Sequence, residues 1–368
     1  MQVEKLCLQN FRNYEKAEIE FSSGVNLIYG NNGHGKTNIA EAVYLFSAAR
    51  SHRTSREKDM IRLGEDYLRA KLFYKTESRD MEAEFRIFKD KSHFISRNGV
   101  ENIKNSEFIG SFLAVMFSPE DFSFIKDGPG ERRKFMDIAI SQLKPNYFKL
   151  LSEYNRYLKS KMKALKNPAY HVMLDVYNEH LATLGAKIML YRNAFIEALK
   201  PKLNRINQEI TSLPDELILE YQSCVPFTSD EEKLKKRLLQ KLERVRKREL
   251  FDKICHAGLQ KEDLDFTLKD IKLRDFGSQG QIRTAVLAVK MAQAELVEES
   301  YGEYPVLILD DILSELDASR RKYLLNEIRG KQVIITGTDK ANFGKRKDTK
   351  LIYIENGKIR YDNIQEKE

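Results

Sequence analysis

The chain has 368 residues, with 63 Lys and Arg against 55 Asp and Glu (net charge +8), a 42% hydrophobic fraction and no tryptophan. That length can bury a substantial core and, at roughly 150 residues per domain, suggests two domains; no stretch reaches the ~18–20 apolar residues of a membrane span. Cys7, Cys224 and Cys255 share no CxxC spacing and no secretion signal opens the chain, which argues against a disulfide framework or a zinc site and for a reducing, cytoplasmic setting.

Apolar spacing predicts strands over Val3–Leu8, Ile19–Phe21 and Val25–Tyr29, the last ending at Gly30, followed by a helix from about Thr37 to Ala49. Between Tyr67 and Val100 the pattern alternates and contains Asn98-Gly99, a hairpin turn signal, so this stretch reads as an antiparallel sheet. From about Arg132 to Leu203 the period becomes helical. Residues 231–250 place Leu234, Leu238, Leu242 and Val245 on one stripe and nine Lys/Arg elsewhere. Two readings stand for that helix: a solvated face, or a surface turned toward DNA. Near the C-terminus, Val306–Leu309 and Val333–Ile335 are apolar runs of buried-strand type, separated by a helix over about Ala318–Arg329. Strand, helix, strand points to a parallel α/β core.

Three segments carry chemistry. Gly30-Asn31-Asn32-Gly33-His34-Gly35-Lys36-Thr37 fits G-x-x-x-x-G-K-S/T between a strand and a helix, where glycines let backbone N–H groups turn inward around a phosphate. Lys36 then reaches the β- and γ-phosphates, and the Thr37 hydroxyl can ligate Mg²⁺. Asp310 and Asp311 follow the apolar run Val306–Leu309: Asp310 is placed to hold Mg²⁺ and Asp311 to orient or deprotonate a water. Ser278-Gln279-Gly280-Gln281 opens a further apolar helix; Ser278 can cap it, and Gly280 lets amides approach an anion. One nucleotide does not need two such helix ends from one chain, which suggests that the second serves a nucleotide held by another copy.

Taken with Ser314-Glu315-Leu316-Asp317, these segments resemble the ABC-type ATPase heads of the SMC and DNA-repair branch. Leu8 to Tyr14, Ser51-His52-Arg53, Phe117 to Asp121 and Arg132 to Asp137 look like its bacterial recombination mediators. The resemblance implies an α/β fold: a P-loop ABC-type ATPase head with a mixed-sheet lobe, an inserted mainly helical lobe and no long coiled coil. On that frame, 1–115 and 300–368 form the ATPase lobe, and 116–299 the helical lobe with the signature.

Carried onto this sequence, the resemblance implies ATP and Mg²⁺ as ligands. Gly30 to Asn38 would bind ATP, with Lys36, Asp310 and Asp311 catalytic and Thr37 and Asp310 on the metal. Ser278 to Gln281 would reach the nucleotide of a second copy, with Asp317 in the loop between the two sites. Thr338 stands where many relatives have a switch histidine, Asp311 where the usual acid is glutamate, and no Q-loop glutamine is evident around Phe117–Glu120. The family's G-P-H-R-D-D segment reads Gly258-Leu259-Gln260-Lys261-Glu262-Asp263. The function implied is an ATP-dependent homodimeric clamp on DNA that helps load recombinase at single-strand/double-strand junctions in gap repair and at stalled forks, with slow hydrolysis as a timer. RecR-like and RecO-like proteins would be its partners, and no membrane is involved. Arg53, Arg56, Lys235, Lys236 and Arg244 are the DNA-contact candidates, aimed at phosphates because a roving clamp has no use for base readout. A P-loop phosphotransferase, a transporter's ATPase subunit and a structural chromosome bracket are the rival readings; the first needs neither signature nor dimer.

Overall fold

The computed structural model describes residues 1–338 and 349–362. Strand β1 (Gln2–Phe11) turns back as β2 (Tyr14–Glu20), pairing Leu6 with Ile19 and Leu8 with Ala17 so that one face is apolar. β3 (Val25–Tyr29) enters a different sheet and is buried at every position, as a strand covered on both faces must be. After helix α1 (Lys36–Ala48), β4 (Tyr67–Lys75), β5 (Asp80–Phe88) and β6 (Phe94–Arg97) complete a five-stranded sheet in the order β2-β1-β4-β5-β6. Asn98 and Gly99, with φ of 50° and 79°, make the tight turn that returns β6 onto Val100. The short helix α2 (Asn105–Phe108) leads into β7 (Ala114–Phe117), and the four-residue α3 (Ser123–Lys126) follows it.

The chain divides into two compact units: Met1–Ser123 with Glu209–Ser212 and Arg283–Glu368, and Phe124–Gln208 with Leu213–Ile282. The second holds α4 (Pro129–Leu143), α5 (Pro145–Lys166), α6 (Leu174–Thr211), β8 (Leu217–Gln222), α7 (Glu231–Asp252), β9 (Asp263–Leu268), β10 (Ile271–Lys272) and α8 (Leu273–Phe276). Gly185 lets α5 and α7 close on α6: a Cβ there would stand 3.1 Å from Leu238 and 3.6 Å from Tyr154. Charged groups sit inside this unit in pairs. Lys161 and Glu249, each 1% exposed, meet at 2.7 Å, and Arg192 holds Glu262 at 2.5 Å and Asp137 at 2.7 Å. Arg132 donates to both oxygens of Asp263. The two acids of the divergent 258–263 segment are therefore counter-ions of buried arginines.

Helix α9 (Gln279–Tyr301) then leads to β11 (Val306–Asp310), α10 (Ile312–Glu315), α11 (Ala318–Glu327), β12 (Val333–Gly337), β13 (Thr349–Glu355) and β14 (Lys358–Asp362). With β3 and β7 they form a six-stranded sheet, β14-β13-β3-β12-β11-β7, parallel except for the β13–β14 hairpin. The helical lobe expected over 116–299 is narrower at both ends. Met116 and Phe117 finish β7, which pairs with β11, and α9 beyond Ile282 belongs to the first unit, with Ala285 to Val289 buried.

Candidate nucleotide site

The loop from Gly30 to Lys36 lies between the C-terminal end of β3 and the start of α1. Gly30 has φ +145°, and a Cβ on it would stand 2.2 Å from the Ile354 carbonyl oxygen, so no side chain fits. Gly35, at φ +109°, is pressed by the β1–β2 turn: its Cβ would meet Asn13 and the Tyr14 hydroxyl at under 3 Å. Asn13 Nδ2 donates to the His34 carbonyl and the Tyr14 hydroxyl to that of Gly35, both at 3.1 Å. On the other side, the Asn356 N–H donates to His34 Nδ1 at 3.3 Å. The loop is thus braced from two strands' ends, while Asn31, Asn32 and Gly33 remain exposed. Lys36, 5% exposed, curls over the loop and donates to the Gly30 and Asn31 carbonyls at 2.9 Å each. Burial pushes its pKa down, opposed by the carboxylates of Asp311 and Asp310.

Register brings the acids to the same place. Asp310 on β11 pairs with Thr336 on β12; the Thr336 hydroxyl donates to Asp310 Oδ1 at 2.6 Å and accepts from the Asp311 N–H at 3.0 Å. Burial raises the Asp310 pKa, bonds from Thr336 and Thr37 hold it back, and the carboxylates of Asp311 and Glu120 add to the rise. Asp311 sits at φ +54° as the N-cap residue just before α10. Lys36, Thr37, Asp310 and Asp311 are therefore gathered in one place.

Where a Q-loop glutamine was sought, Glu120 stands. Burial pushes its carboxyl up, but the Ser118 bond, a backbone N–H and the charges of His52 and Arg53 outweigh this and hold it below the ordinary range. The turn is fixed by Lys290, which donates to Asp121 at 2.6 Å and to the Met116 carbonyl at 2.8 Å.

Glu41, fully buried on α1, was not foreseen. Arg12 grips it with two bonds of 2.9 and 2.6 Å, Ser51 donates at 2.5 Å, and Arg53 lies at 3.5 Å. Burial raises its pKa, yet the Arg12 and Ser51 bonds prevail and leave it low. Arg53, a DNA-contact candidate, also donates to Asn38 at 2.8 Å, while Arg56 is exposed. In the second unit, Lys235 is paired with Glu179 at 2.5 Å; Lys236 and Arg244 are exposed on α7.

The signature residues form a reciprocal cap at the start of α9: the Gln281 N–H donates to Ser278 Oγ at 3.3 Å, and the Ser278 N–H to Gln281 Oε1 at 2.9 Å. Ser278 and Gln279 are exposed, and Gly280 follows them on the first turn. Asp317 caps α11, accepting from the Arg320 N–H at 2.9 Å, and that bond lowers its pKa. Thr338 is exposed beyond β12; Thr336, two residues earlier, makes the contacts. The hint in the sequence was a hydroxyl ending an otherwise aliphatic strand beside the aspartate strand.

The donors suit a hard divalent cation beside a triphosphate. Asp310 is a buried carboxylate whose charge two nearby carboxylates penalise, and the Thr37 hydroxyl bonds to it, an all-oxygen set of the kind Mg²⁺ takes. Among the described residues, no helix is long and apolar enough to cross a membrane.

A braced glycine loop feeding a helix, an aspartate strand two places away in a parallel sheet, and a capped signature helix define a P-loop ATPase head of the ABC type. The family model described as RecF/RecN/SMC N terminal domain matches residues 2–360. Smc heads share the fold at low identity: one from Pyrococcus furiosus gives a TM-score of 0.56 at 18%. The chain belongs to the RecF family of DNA replication and repair proteins. The DNA replication and repair protein RecF of Clostridium tetani is 38% identical over 97% of this chain and 99% of its own, and that of Clostridium perfringens is 38% identical over 98% and 99%. A solved structure of the recombination mediator RecF with ATP, in the RecFOR pathway, has a TM-score of 0.92 at 33% identity, covering 98% of both chains.

Proposed function

We propose that the chain is a cytoplasmic, ATP-dependent DNA-binding mediator of recombinational gap repair, and that two copies close around ATP and Mg²⁺. The observation that carries this reading is the presence, in one chain, of a complete phosphate cluster (Lys36, Thr37, Asp310) and a separate capped, exposed helix start at Ser278–Gln281. Lys36 would exchange its carbonyl partners for the β- and γ-phosphates, and the Gly33–Thr37 amides would meet phosphate oxygens. Thr37 and Asp310 would hold Mg²⁺, which when bound supplies charge neutralisation on those oxygens. Asp311 would orient the attacking water, and Ser278 to Gln281 of the second copy would close over the γ-phosphate beside Asp317.

Hydrolysis would be slow and stimulated by DNA. Asp311 is one methylene shorter than glutamate and Thr338 offers no imidazole, so the nucleotide would act as a timer on a clamp at single-strand/double-strand junctions. RecR-like and RecO-like proteins would be its partners in loading recombinase, and Arg56, Lys236 and Arg244 are solvent-facing candidates for phosphate contacts.

Sedimentation of wild type and Asp311→Asn with MgATP, with and without gapped DNA, tests the reading. Asparagine tolerates positive φ, so the variant should keep its backbone, stop hydrolysing and accumulate as a dimer. A monomer at saturating ATP in both proteins would defeat the proposal, as would dimerisation unaffected by Ser278→Arg.

A further inference from the structure

We infer that the solvent face of α5 is a track for the phosphate backbone of duplex DNA. The inference rests on the DNA-binding reading above and gives it a surface that the sequence did not single out. The inward side of α5 is set by Tyr147, Tyr154, Lys161 and Leu165, each 2% exposed or less. At about 100° per residue, Lys149, Arg156, Lys159, Lys163 and Lys166 fall in one arc about 100° wide on the opposite side. All five are exposed. From Phe148 onward, the arc otherwise holds only Phe148 and Ser152, so it contains no carboxylate. Lys166 lies seventeen positions beyond Lys149, which lays the charges along about 26 Å of helix.

On α7 the cations are only partly answered, and Lys236, Lys241, Arg244 and Lys247 are exposed without an ion pair among the described residues. There Lys233 pairs with Asp230, Lys235 with Glu179, Arg246 with Asp175 and Arg248 with Asp252. On α5 Arg156 reaches Glu153, one turn away, at 3.3 Å. Lys149, Lys159, Lys163 and Lys166 have no ion pair among the described residues. Like charges at i,i+3 and i,i+4 repel along a helix, and a line of phosphates relieves that repulsion by replacing its counter-ions. Lysines are point charges without the planar fork that reads a guanine edge, and no Asn or Gln stands in the arc to read adenine. Backbone contact is therefore the mode that fits. An acidic protein is the competing occupant.

The test uses the full-length chain with Lys149, Lys159, Lys163 and Lys166 all changed to Gln, beside a variant with the same four changed to Arg. Binding of a labelled duplex is followed by anisotropy from 50 to 200 mM salt with ATP present, while circular dichroism and ATP-analogue binding check that the fold and the nucleotide site are kept. At about 0.9 counter-ion per phosphate contact, the Gln variant should lose 3 to 4 from the slope of log affinity against log salt, so that wild type weakens roughly 150-fold more than it does over that range. The Arg variant should keep the wild-type slope. A Gln variant with wild-type affinity and slope would overturn the assignment and leave the stripe to solvent or to an acidic protein. If wild type itself fails to bind DNA, the broader DNA reading falls first, and the wild-type arm distinguishes that failure.

Discussion

Changing Thr336 to valine keeps the side chain's shape and removes a hydroxyl with two jobs. It donates to Asp310 at 2.6 Å and accepts from the Asp311 N–H at 3.0 Å, at a position 1% exposed. A hydrogen bond to a charged group contributes about 1.5–3 kcal/mol, and an orphaned buried N–H costs about 1–3 kcal/mol, so a loss of roughly 3 kcal/mol is expected once the partners relax. The Asp310 carboxyl should also titrate higher, because burial already raises it and the Thr336 bond opposes that rise. Thr336→Ser keeps the hydroxyl and loses one methyl, at about 1 kcal/mol. Urea unfolding measures both variants, and ATP turnover should fall in the valine variant because Asp311 loses the bond that fixes its strained backbone. If serine proves the more destabilising change, packing rather than the hydroxyl governs the position and the reasoning fails.

Three further expectations concern charge and backbone. Lys161→Met strands Glu249 in a buried site and should cost about 3–5 kcal/mol. Adding Glu249→Gln should recover part of that, since the amide still accepts the His256 N–H bonded at 2.8 Å; a single variant within 1 kcal/mol of wild type by urea unfolding would contradict it. His52 lies edge-on to Tyr44 with neither ring nitrogen hydrogen-bonded, and burial lowers its pKa to about 4. The unfolded chain takes up that proton first, near pH 6.5, so stability should drop as pH falls from 6.5 toward 4, by about 2 kcal/mol at pH 5. His52→Phe should flatten this part of the profile, and equal pH slopes in both proteins would refute it. Gly30→Ala should lower the melting temperature more than Gly33→Ala: both have positive φ, worth roughly 1–3 kcal/mol of strain, but only Gly30 faces a backbone atom at 2.2 Å. The reverse order would mean that the hairpin yields freely.

The parallel core was legible because its strands are short continuous apolar runs, and the phosphate loop because glycine placement is a backbone requirement that survives in one dimension. Asp310 became a candidate through its place after an apolar strand taken together with the phosphate loop. Thr336 could not be found that way: its role comes from pairing across β11 and β12, and register between strands 26 residues apart leaves no local mark. Glu41 was hidden for a related reason, since an acid in the middle of an apolar helix becomes intelligible only when Arg12 and Ser51 arrive from other elements. The boundary at 115/116 cut through β7 because four apolar residues do not distinguish a strand from a helix turn. The basic stripe of α7 drew attention by its density, whereas that of α5 is sparser and emerges only when inward and outward faces are known.

The placement of β3 has a consequence during synthesis on the ribosome. Both its neighbours in the sheet, β12 and β13, come from the far end of the chain, so a nascent polypeptide carries this mostly apolar strand with two unsatisfied edges while roughly 300 further residues are translated. At ~5–20 residues per second that interval is about 15–60 s, long enough for a chaperone to be engaged, and a message truncated before β12 would yield a product exposing an adhesive strand.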